Sequence, residues 1–333
     1  MRVLILGGTQ FIGRHLVSEL LRRGHEVVLF NRGRTNPELF PQLEQYHGDR
    51  RTDLALLPPS GWDAVVDTCA YVPRDVEIST RHFASSARQY VFISTVSVFD
   101  LKQPQINEQS RKLRLPPDAD RDVMTPETYG ALKALCEDVV AETFRRATIV
   151  RPGLVAGPWD PTDRFSYWPL RVALGGDMLA PAPPDRFVQY IDARDLATFT
   201  ALQIEKCESG DFNVVIPPKR NTLGEVLGAS MVQSNSRPEI TWVEERFLEA
   251  QGVQPWTELP LWIPQSEGAP GITNVDMAKA FGAGLTFRPM ETTIGDILHW
   301  QYAERRGVPL RAGLAPAREK ELLAAWASST AKT

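Results

Sequence analysis

The chain has few cysteines, no long apolar run and no marked excess of one charge, and each absence excludes a class of protein. Its three cysteines show neither paired metal spacing nor the density of a disulfide framework, and its five histidines show no metal spacing either. No apolar stretch approaches the roughly 20 residues of a membrane span. A net charge of −4 offers no general attraction to nucleic acid or to an anionic membrane. We therefore expect a cytoplasmic protein without a metal site and without a membrane anchor.

A glycine-rich turn follows directly after the first apolar segment. Val3–Leu6 predicts a buried strand, and an apolar-periodic helix runs through Leu16, Leu20 and Leu21. Strand, glycine turn and helix together lay a dinucleotide pyrophosphate on a helix N-terminus, where unpaired N–H groups meet the phosphates. Such a turn is also common as an ordinary connection. The cofactor-binding candidates here are Gly7, Thr9, Gln10, Phe11, Ile12 and Gly13. Because the strand begins at residue 3, we expect no presequence.

The end of the second predicted strand bears on the choice of dinucleotide. His25–Phe30 predicts that strand, and Asn31 stands where an NAD-preferring fold usually places an acid for the ribose hydroxyls. Arg32 and Arg34 follow at once, and arginines pair with an adenosine 2′-phosphate that an acid would repel. The pattern favours NADP over NAD. NAD stays open, because solvated loop arginines would give the same pattern.

Strand-like and helix-like segments alternate through the first half of the chain. Strands are predicted at 62–67, 89–94 and 147–151, with helical patterns between them. This alternation predicts a parallel sheet covered on both faces, with ligands at the carboxyl ends of the strands. Beyond residue 152 the alternation weakens, although 212–216 predicts a late return to the sheet. Thr222 with Glu225 predicts a capping box at a helix start.

The predicted fold class is therefore α/β, a Rossmann-type doubly wound parallel sheet with a smaller, irregular C-terminal substrate lobe. We place the dinucleotide-binding domain at residues 1–155, with return segments near 188–218. Residues 156–187 and 219–333 are expected to form mainly the substrate-binding lobe.

Tyr129 and Lys133 lie four residues apart in a predicted helix, so they share one helix face. The preceding Thr125 to Thr128 predicts the helix start, with a capping hydroxyl and a proline in the first turn. An adjacent ammonium favours the phenolate form of a tyrosine, which can then give or take a proton at a carbonyl or alcohol oxygen. The same ammonium can hold the nicotinamide ribose. A plain helix-surface pair has the same spacing, so the pair alone does not decide.

Three hydroxyls stand at the end of a predicted strand. Ser94, Thr95 and Ser97 follow Val91–Ile93, at the sheet edge where ligands bind in this class of fold. A hydroxyl there can hydrogen-bond the reacting oxygen beside the tyrosine. We expect two of the three to make ordinary strand-end hydrogen bonds.

In their order along the chain, these motifs resemble those of an extended short-chain dehydrogenase/reductase of the NAD-dependent epimerase/dehydratase family. The resemblance covers most of the chain and rests on Gly7–Gly13, His47–Asp49, Ser94–Phe99, Tyr129–Lys133, Arg151–Pro158 and Ile191–Ala197. It implies that Asp49 contacts the adenine and that Thr95 is the catalytic hydroxyl. Tyr129 would be the general acid/base, and Lys133 would be its electrostatic partner and ribose anchor. It also implies a homodimer through the Tyr129 helix and the helix before it, and the apolar positions of the Tyr129 helix favour this.

The chain also departs from the family pattern. Gln10 replaces the middle glycine of the turn, so a close backbone approach to the pyrophosphate cannot be assumed. Leu154 stands where nucleotide-sugar enzymes usually have an asparagine, and Val188 stands near their usual arginine. Arg186, two residues earlier, is a substitute candidate because it shares a strand face with Val188 if the segment is extended. These departures weaken a nucleoside-diphosphate-sugar substrate.

We expect an enzyme that moves a hydride between nicotinamide and a carbonyl or secondary alcohol carbon of a sugar-like or other small polar substrate. Reductase and epimerase remain open. The alternatives are a dinucleotide sensor without turnover, or an RNA-binding protein, since the chain also resembles the branch containing the chloroplast stem-loop-binding proteins. The acidic net charge argues against RNA binding. Cys69 is a further cofactor candidate, and the substrate candidates are Tyr71, Ser97, Leu154, Arg164, Tyr167 and Arg186.

Overall fold

The structure is a computed structural model that describes residues 1–331. Its strands are β1 Arg2–Leu6, β2 Glu26–Asn31, β3 Glu44–His47, β4 Ala64–Asp67, β5 Tyr90–Ile93, β6 Ala147–Pro152, β7 Leu154–Ala156, β8 Asp177–Pro181, β9 Phe187–Val188, β10 Tyr190–Asp192, β11 Gly210–Val214, β12 Asn221–Thr222 and β13 Glu239–Val243. Its helices are α1 Phe11–Arg22, α2 Pro73–Phe83, α3 Tyr129–Thr143, α4 Tyr167–Leu174, α5 Ala193–Lys206, α6 Leu223–Ser234, α7 Glu245–Ala250, α8 Ala278–Gly282, α9 Met290–Glu304 and α10 Pro316–Thr330.

Seven strands form a central sheet in the order β11-β6-β5-β4-β1-β2-β3. Every neighbouring pair in this sheet is parallel. The order reverses between β1 and β4, which is the switch point at which doubly wound sheets bind ligands. All four residues of β4 and of β5 are buried, as expected for strands covered on both faces. The predicted fold class is thereby confirmed.

The chain divides into two compact units. The first contains Met1–Gly153, Ala193–Val215 and Val275–Phe287, and the second contains Leu154–Asp192, Ile216–Asn274 and Arg288–Thr333. Two details differ from the sequence prediction. β10 pairs with β7 rather than with the central sheet, so the return to that sheet is made by β11 alone. The segment 275–287 also belongs to the first unit, where the backbone N–H of Asp276 donates to the Ile106 carbonyl at 2.7 Å.

The helix α3 packs on α2 and on the sheet. Its apolar residues Leu132, Cys136 and Val140 are fully buried within the chain, and its exposed positions include Asp138 and Glu142. The apolar surplus from which we expected a dimer is therefore used within the single chain. The homodimer remains a prediction that rests on the family resemblance.

The second unit is irregular. Its strands form three two-stranded pairs, which are β7 with β10, β8 with β13 and β9 with β12. The helix α6 begins with the capping box that the sequence predicts, because Thr222 accepts from the backbone N–H of Glu225 while the Glu225 carboxylate accepts from the backbone N–H of Thr222.

Candidate active site

The glycine turn after β1 has the close packing that a dinucleotide cradle needs. Gly7 and Gly8 have φ values of 106° and 96°, which side chains rarely tolerate. A Cβ on Gly13 would lie 2.9 Å from the Gly8 Cα, so only glycine lets α1 approach the turn this closely. Gln10 is exposed and extended, with φ −129° and ψ 136°, so its replacement of a glycine introduces no backbone strain.

The other candidates of this turn are held in place. Thr9 and Phe11 are buried, Ile12 is half-buried, and the Thr9 carbonyl accepts from the Asn36 side-chain amide at 2.8 Å. Phe11 has a positive φ of 36° although it is not glycine. Such outliers are frequent where a chain binds ligands.

Two arginines in the loop after β2 are exposed and have no partner within residues 1–331. The Asn31 side chain accepts from the backbone N–H of Gly33 at 2.8 Å, contacts His47 at 3.2 Å and donates to the Gly7 carbonyl at 3.4 Å. Asn31 thus connects the glycine turn to its own loop through side-chain hydrogen bonds. Arg32 and Arg34 are both exposed, and within residues 1–331 neither has a hydrogen bond or an ion pair.

Asp49 and Cys69 lie on loops that follow β3 and β4. Asp49 is exposed, and its carboxylate accepts from the backbone N–H of Arg51 at 2.9 Å. Cys69 is exposed as a residue, but its thiol lies 3.4 Å from the Leu6 carbonyl and 3.7 Å from Arg50 Nη1. Desolvation of this thiol raises the pKa of Cys69 to about 11, so it stays neutral at physiological pH.

The three hydroxyls at the end of β5 have separate roles. Ser94 donates to the buried Glu137 carboxylate at 2.6 Å. Thr95, only 7% exposed, accepts from the backbone N–H of Ser97 at 3.1 Å and caps a short 3-10 turn. Within the described residues the Thr95 hydroxyl donates to no acceptor, so its proton is available. The Ser97 side chain is half-buried and makes no hydrogen bond to any described residue.

The helix α3 begins at Tyr129 rather than at the Thr125 turn that the sequence predicted. Thr125 and Thr128 instead form a separate turn, in which the backbone N–H of Thr125 donates to the Thr128 hydroxyl at 2.9 Å. Tyr129 is half-buried in the first turn of the helix. A Cβ on Gly130 would lie 2.1 Å from the Ser97 carbonyl oxygen, so this glycine allows the helix start to lie against the strand end that carries Thr95.

Lys133 extends from α3 to the carboxyl ends of two central strands. Its ammonium donates to the Ile93 carbonyl at 2.7 Å and to the Ala70 carbonyl at 3.0 Å, and it lies 3.9 Å from the centre of the Phe92 ring. The residue is 3% exposed. This desolvation lowers the pKa of Lys133 to about 8. The ammonium is therefore fixed in position and can lose its proton near physiological pH.

Apolar surface surrounds the start of α3. The Tyr71 ring lies 6.4 Å from the Tyr129 ring and 5.8 Å from the Lys133 ammonium, and Tyr71 is 45% exposed. Leu113 would contact a Cβ on Gly130 at 3.0 Å. Further large apolar residues are exposed a few positions before Tyr129, namely Val123 and Met124. Tyr71 and Leu113 thus give the start of α3 a non-polar rim.

Two buried ion pairs lie near these groups, and neither was predicted from the sequence. Glu137 and Arg151 form a two-pronged pair with distances of 2.8 and 2.9 Å, and Arg50 pairs with Asp67 at the end of β4. Burial opposes ionisation of Glu137, but Arg151 and Lys112 outweigh it and keep its pKa below the ordinary value. A signal existed for Glu137, because it follows Lys133 by one more helical step of four residues.

Four substrate candidates belong to the second unit. Leu154 is half-buried in β7, and Arg164 is exposed with its guanidinium 5.9 Å from the Trp256 ring. Tyr167 is 2% exposed and packs on Trp168, and burial raises the pKa of its phenol. It is therefore part of the core of this unit in the described structure.

Arg186, the candidate substitute for a phosphate-binding arginine, already has partners. It pairs with the Glu245 carboxylate and donates to the Ile263 carbonyl at 2.7 Å. These contacts leave few of its donors for a substrate phosphate.

Within residues 1–331 no three or more histidine, cysteine, aspartate or glutamate side chains are grouped so as to hold a metal ion. In the same part of the chain no helix has the length and apolar character needed to cross a membrane.

The sheet order, the glycine turn and the Tyr129–Lys133 helix define a Rossmann-type α/β protein. The chain belongs to the NAD dependent epimerase/dehydratase family, whose model matches residues 3–215.

Known proteins similar to the chain carry varied names. It is 24% identical over 238 residues to the chloroplast stem-loop binding protein of 41 kDa b of Arabidopsis thaliana, an alignment that covers 64% of this chain and 58% of that protein. It is 26% identical over 249 residues to sterol demethylase protein B of Methylococcus capsulatus, covering 68% of this chain and 73% of that protein.

The fold is similar to the crystal structure of UDP-glucuronic acid 4-epimerase from Bacillus cereus in complex with NAD. The TM-score is 0.67 at 16% identity, and the match covers 92% of this chain and 99% of that one. At this identity the likeness concerns the fold alone.

Proposed function

We propose that this protein is a nicotinamide-dinucleotide-dependent oxidoreductase or epimerase, which moves a hydride at a carbonyl or secondary alcohol carbon of a sugar-like or other small substrate. One observation carries the proposal. The Lys133 ammonium is buried and fixed by two strand-end carbonyls, one helical turn from Tyr129 and at the edge of the sheet that carries Thr95. Burying a cation at this place opposes folding. A lysine with a purely structural role would not need to be buried there in its charged form.

The first unit fits a dinucleotide. A Cβ on Gly7 would lie 2.4 Å from the Thr68 hydroxyl, and Gly13 lets α1 begin against the turn, so the cradle is built for close backbone approach. Gly7, Thr9, Gln10, Phe11, Ile12 and Gly13 would hold the phosphates, Asp49 the adenine, Cys69 the adjoining wall and Lys133 a ribose. The bound dinucleotide would supply hydride transfer. Membership of the family supports this assignment.

The chain's own groups would handle the proton and the reacting oxygen. The Tyr129 phenol would give a proton to the substrate oxygen during reduction and take it back during oxidation. The Lys133 ammonium would stabilise the phenolate between these events. The Thr95 hydroxyl, which accepts from Ser97 but donates to no described acceptor, would donate to the same oxygen. The Tyr71 ring would contact the substrate from the rim, with Ser97 as a further polar contact.

The test is cofactor binding and turnover by the purified protein. Material released on denaturation is analysed for NAD(H) and NADP(H), and ketones and activated sugars are screened for a change in nicotinamide absorbance or for epimerised product. Tyr129→Phe should lower turnover by about 10²–10⁴ while leaving dinucleotide affinity nearly unchanged, because only the hydroxyl is removed. Wild-type turnover in this variant would refute the assignment. Protein that binds neither dinucleotide would refute the proposal as a whole.

We further propose that NADP is the preferred dinucleotide. Arg32 and Arg34 are exposed and unpaired within residues 1–331, while the Asn31 oxygen already accepts from Gly33 and contacts His47. One charge-assisted hydrogen bond to a 2′-phosphate contributes roughly 1.5–3 kcal/mol, which corresponds to about a ten- to hundredfold preference. The similar structure from Bacillus cereus was solved with NAD, so NAD is the competing outcome.

Parallel titration with NADPH and NADH decides between the two dinucleotides. Arg32→Ala should remove most of the NADPH preference and leave NADH affinity almost unchanged. Arg81→Ala removes an exposed arginine of α2 and serves as the matched control. Equal or tighter binding of NADH by the wild type would show that the arginines do not read a 2′-phosphate.

The Arabidopsis relative is named a stem-loop binding protein, so nucleic-acid binding, with RNA as the form to test, is a second candidate. The net charge of −4 and the intact Tyr129–Lys133 pair argue against it. A mobility-shift assay with a stem-loop RNA at physiological salt, beside the dinucleotide titration, separates the two. Binding of RNA without any dinucleotide affinity would favour this alternative.

A further inference from the structure

A buried carboxylate lies at the end of β4, next to the proposed active site. Asp67 is fully buried and accepts hydrogen bonds from Arg50 Nη1 at 2.9 Å and from the Tyr90 hydroxyl at 2.8 Å. It also accepts from the backbone N–H groups of Cys69 at 3.2 Å and Ala70 at 3.1 Å. Burial opposes its ionisation, but the Arg50 charge and these hydrogen bonds prevail, and the pKa of Asp67 stays below its ordinary value.

The arginine of this pair follows Asp49, the residue that the family resemblance assigns to the adenine. Arg50 also donates to the Ser79 hydroxyl of α2 at 2.9 Å and lies 3.7 Å from the Cys69 thiol. Its guanidinium therefore attaches the turn of Asp49 to the end of β4. The neighbouring Arg51 pairs instead with Asp75, at a more exposed position.

The segment after β4 also contacts α3 through Lys133. Ala70 donates its N–H to Asp67, and its carbonyl accepts from the Lys133 ammonium at 3.0 Å. An unbroken chain of contacts thus runs from the Asp49 turn through Arg50, Asp67 and Ala70 to Lys133.

We propose that Arg50 and Asp67 are positioning residues, which fix the β4 end against Lys133 and connect the ammonium to the adenine-side turn. This inference rests on the proposed function. A buried ion pair generally adds little to stability compared with an apolar pair of the same size. The arrangement here does something that an apolar pair would not do, because the Asp67 charge favours the Lys133 ammonium and the ion pair ties the Asp49 turn to the end of β4.

The charge on Asp67 also acts on Lys133 directly. The ionised groups around the ammonium are Asp67 on β4 and Glu137 on α3, and both favour its charged form, while burial raises the pKa of the Cys69 and Cys136 thiols so that they stay neutral at physiological pH. The Tyr71 ring lies beyond them. Replacing Asp67 by Asn removes one carboxylate and leaves the Arg50 charge without a partner, and both changes disfavour the ammonium.

The experiment follows the dissociation constant of NADPH, and of NADH, across about pH 6.5 to 9.5. Wild-type binding should weaken as the pH rises through the titration of Lys133, and Lys133→Met should abolish that dependence. Asp67→Asn should move the midpoint to lower pH by at least about half a unit. The double variant Arg50→Gln/Asp67→Asn should recover part of the shift, because the unpaired cation is gone.

Arg50→Lys keeps the charge but loses the two-pronged geometry, so it should raise the dissociation constant about tenfold with little movement of the midpoint. Arg51→Gln is the control and should change neither quantity. The midpoint of Asp67→Asn is the readout that separates the two roles, because a merely structural role of Asp67 predicts weaker binding at every pH with an unchanged midpoint.

The inference is overturned if Asp67→Asn folds, by circular dichroism, and retains the wild-type midpoint. Should that variant fail to fold, wild-type affinity in Arg50→Lys would overturn it instead. Failure of the wild type to bind any dinucleotide is a different result, which refutes the proposed function.

Discussion

Lys133→Met should remove the destabilisation that the buried Lys133 ammonium causes in the wild-type fold at neutral pH. Lys133 is 3% exposed, and burial lowers its pKa from the ordinary 10.5 to about 8. A displacement of this size corresponds to about 3 kcal/mol, since one pKa unit is worth about 1.4 kcal/mol. Holding the ammonium inside the fold therefore destabilises the native state by about that amount near pH 7.

The sign of the pH dependence follows from proton binding. Between about pH 8 and pH 10.5 the unfolded chain keeps the Lys133 proton while the folded chain has lost it. The unfolded state then binds more protons, so raising the pH through this window stabilises the fold. In the methionine variant this contribution is absent. The Ala70 and Ile93 carbonyls lose their donor in the variant, which costs it roughly 1–3 kcal/mol per group at every pH.

The assay is urea unfolding of both proteins at intervals from about pH 7 to pH 10. The free energy of unfolding of the wild type, minus that of Lys133→Met, should rise by about 2.5 kcal/mol between pH 7 and pH 10. Lys102→Met removes an exposed lysine and should leave the difference from the wild type flat. A flat difference for Lys133→Met as well would refute the conclusion that a buried ammonium titrates at this position.

Three other results are expected. Burial raises the pKa of Asp160 to about 6. Asp160→Asn should therefore gain stability relative to the wild type as the pH rises from about 4 to 7, by up to about 3 kcal/mol in urea unfolding. A difference that stays constant over this range would contradict the prediction. Gly130→Ala should displace the start of α3 from Ser97 and abolish turnover with a lowered Tm, whereas an active variant would show that the Ser97 carbonyl can move. Light scattering at micromolar concentration should give about twice the 37.2 kDa chain mass, and a monomer would reject the homodimer.

The central sheet could be predicted because its strands are continuous apolar segments. Val3–Leu6, the segment near Val91 and the segment near Ile149 lie within β1, β5 and β6 as expected. β3 could not be predicted in this way. Its residues Glu44 to His47 contain no apolar run, and its place at the edge of the sheet requires none. Only its pairing with β2 makes it a strand.

The candidate site was predictable where a local spacing carries the chemistry, and unpredictable where partners are distant in sequence. Tyr129 and Lys133 are linked by helical spacing alone. Arg50 and Asp67 are 17 residues apart, and nothing local indicates that they meet. An aspartate at the end of the apolar strand 64–67 was a usable signal, since a carboxylate in a buried parallel strand needs a partner.

In helix α3, a single four-residue spacing places one side chain near solvent and two others in the protein interior. Tyr129, Lys133 and Glu137 follow each other at four-residue steps, and their burial increases along the helix from half-buried to fully buried. In the proposed reaction the phenol needs access to a substrate, and Tyr129 is half-buried in the first turn. The proposed role of the ammonium requires a dry and fixed place, which the Ala70 and Ile93 carbonyls provide. Glu137, fully buried, remains ionised because Arg151 reaches it from β6, Lys112 pairs with it at 2.9 Å and Ser94 donates to it from the strand end beside Thr95. The residue that is farthest from the chemistry therefore joins the helix to the strand whose hydroxyl the reaction is proposed to use.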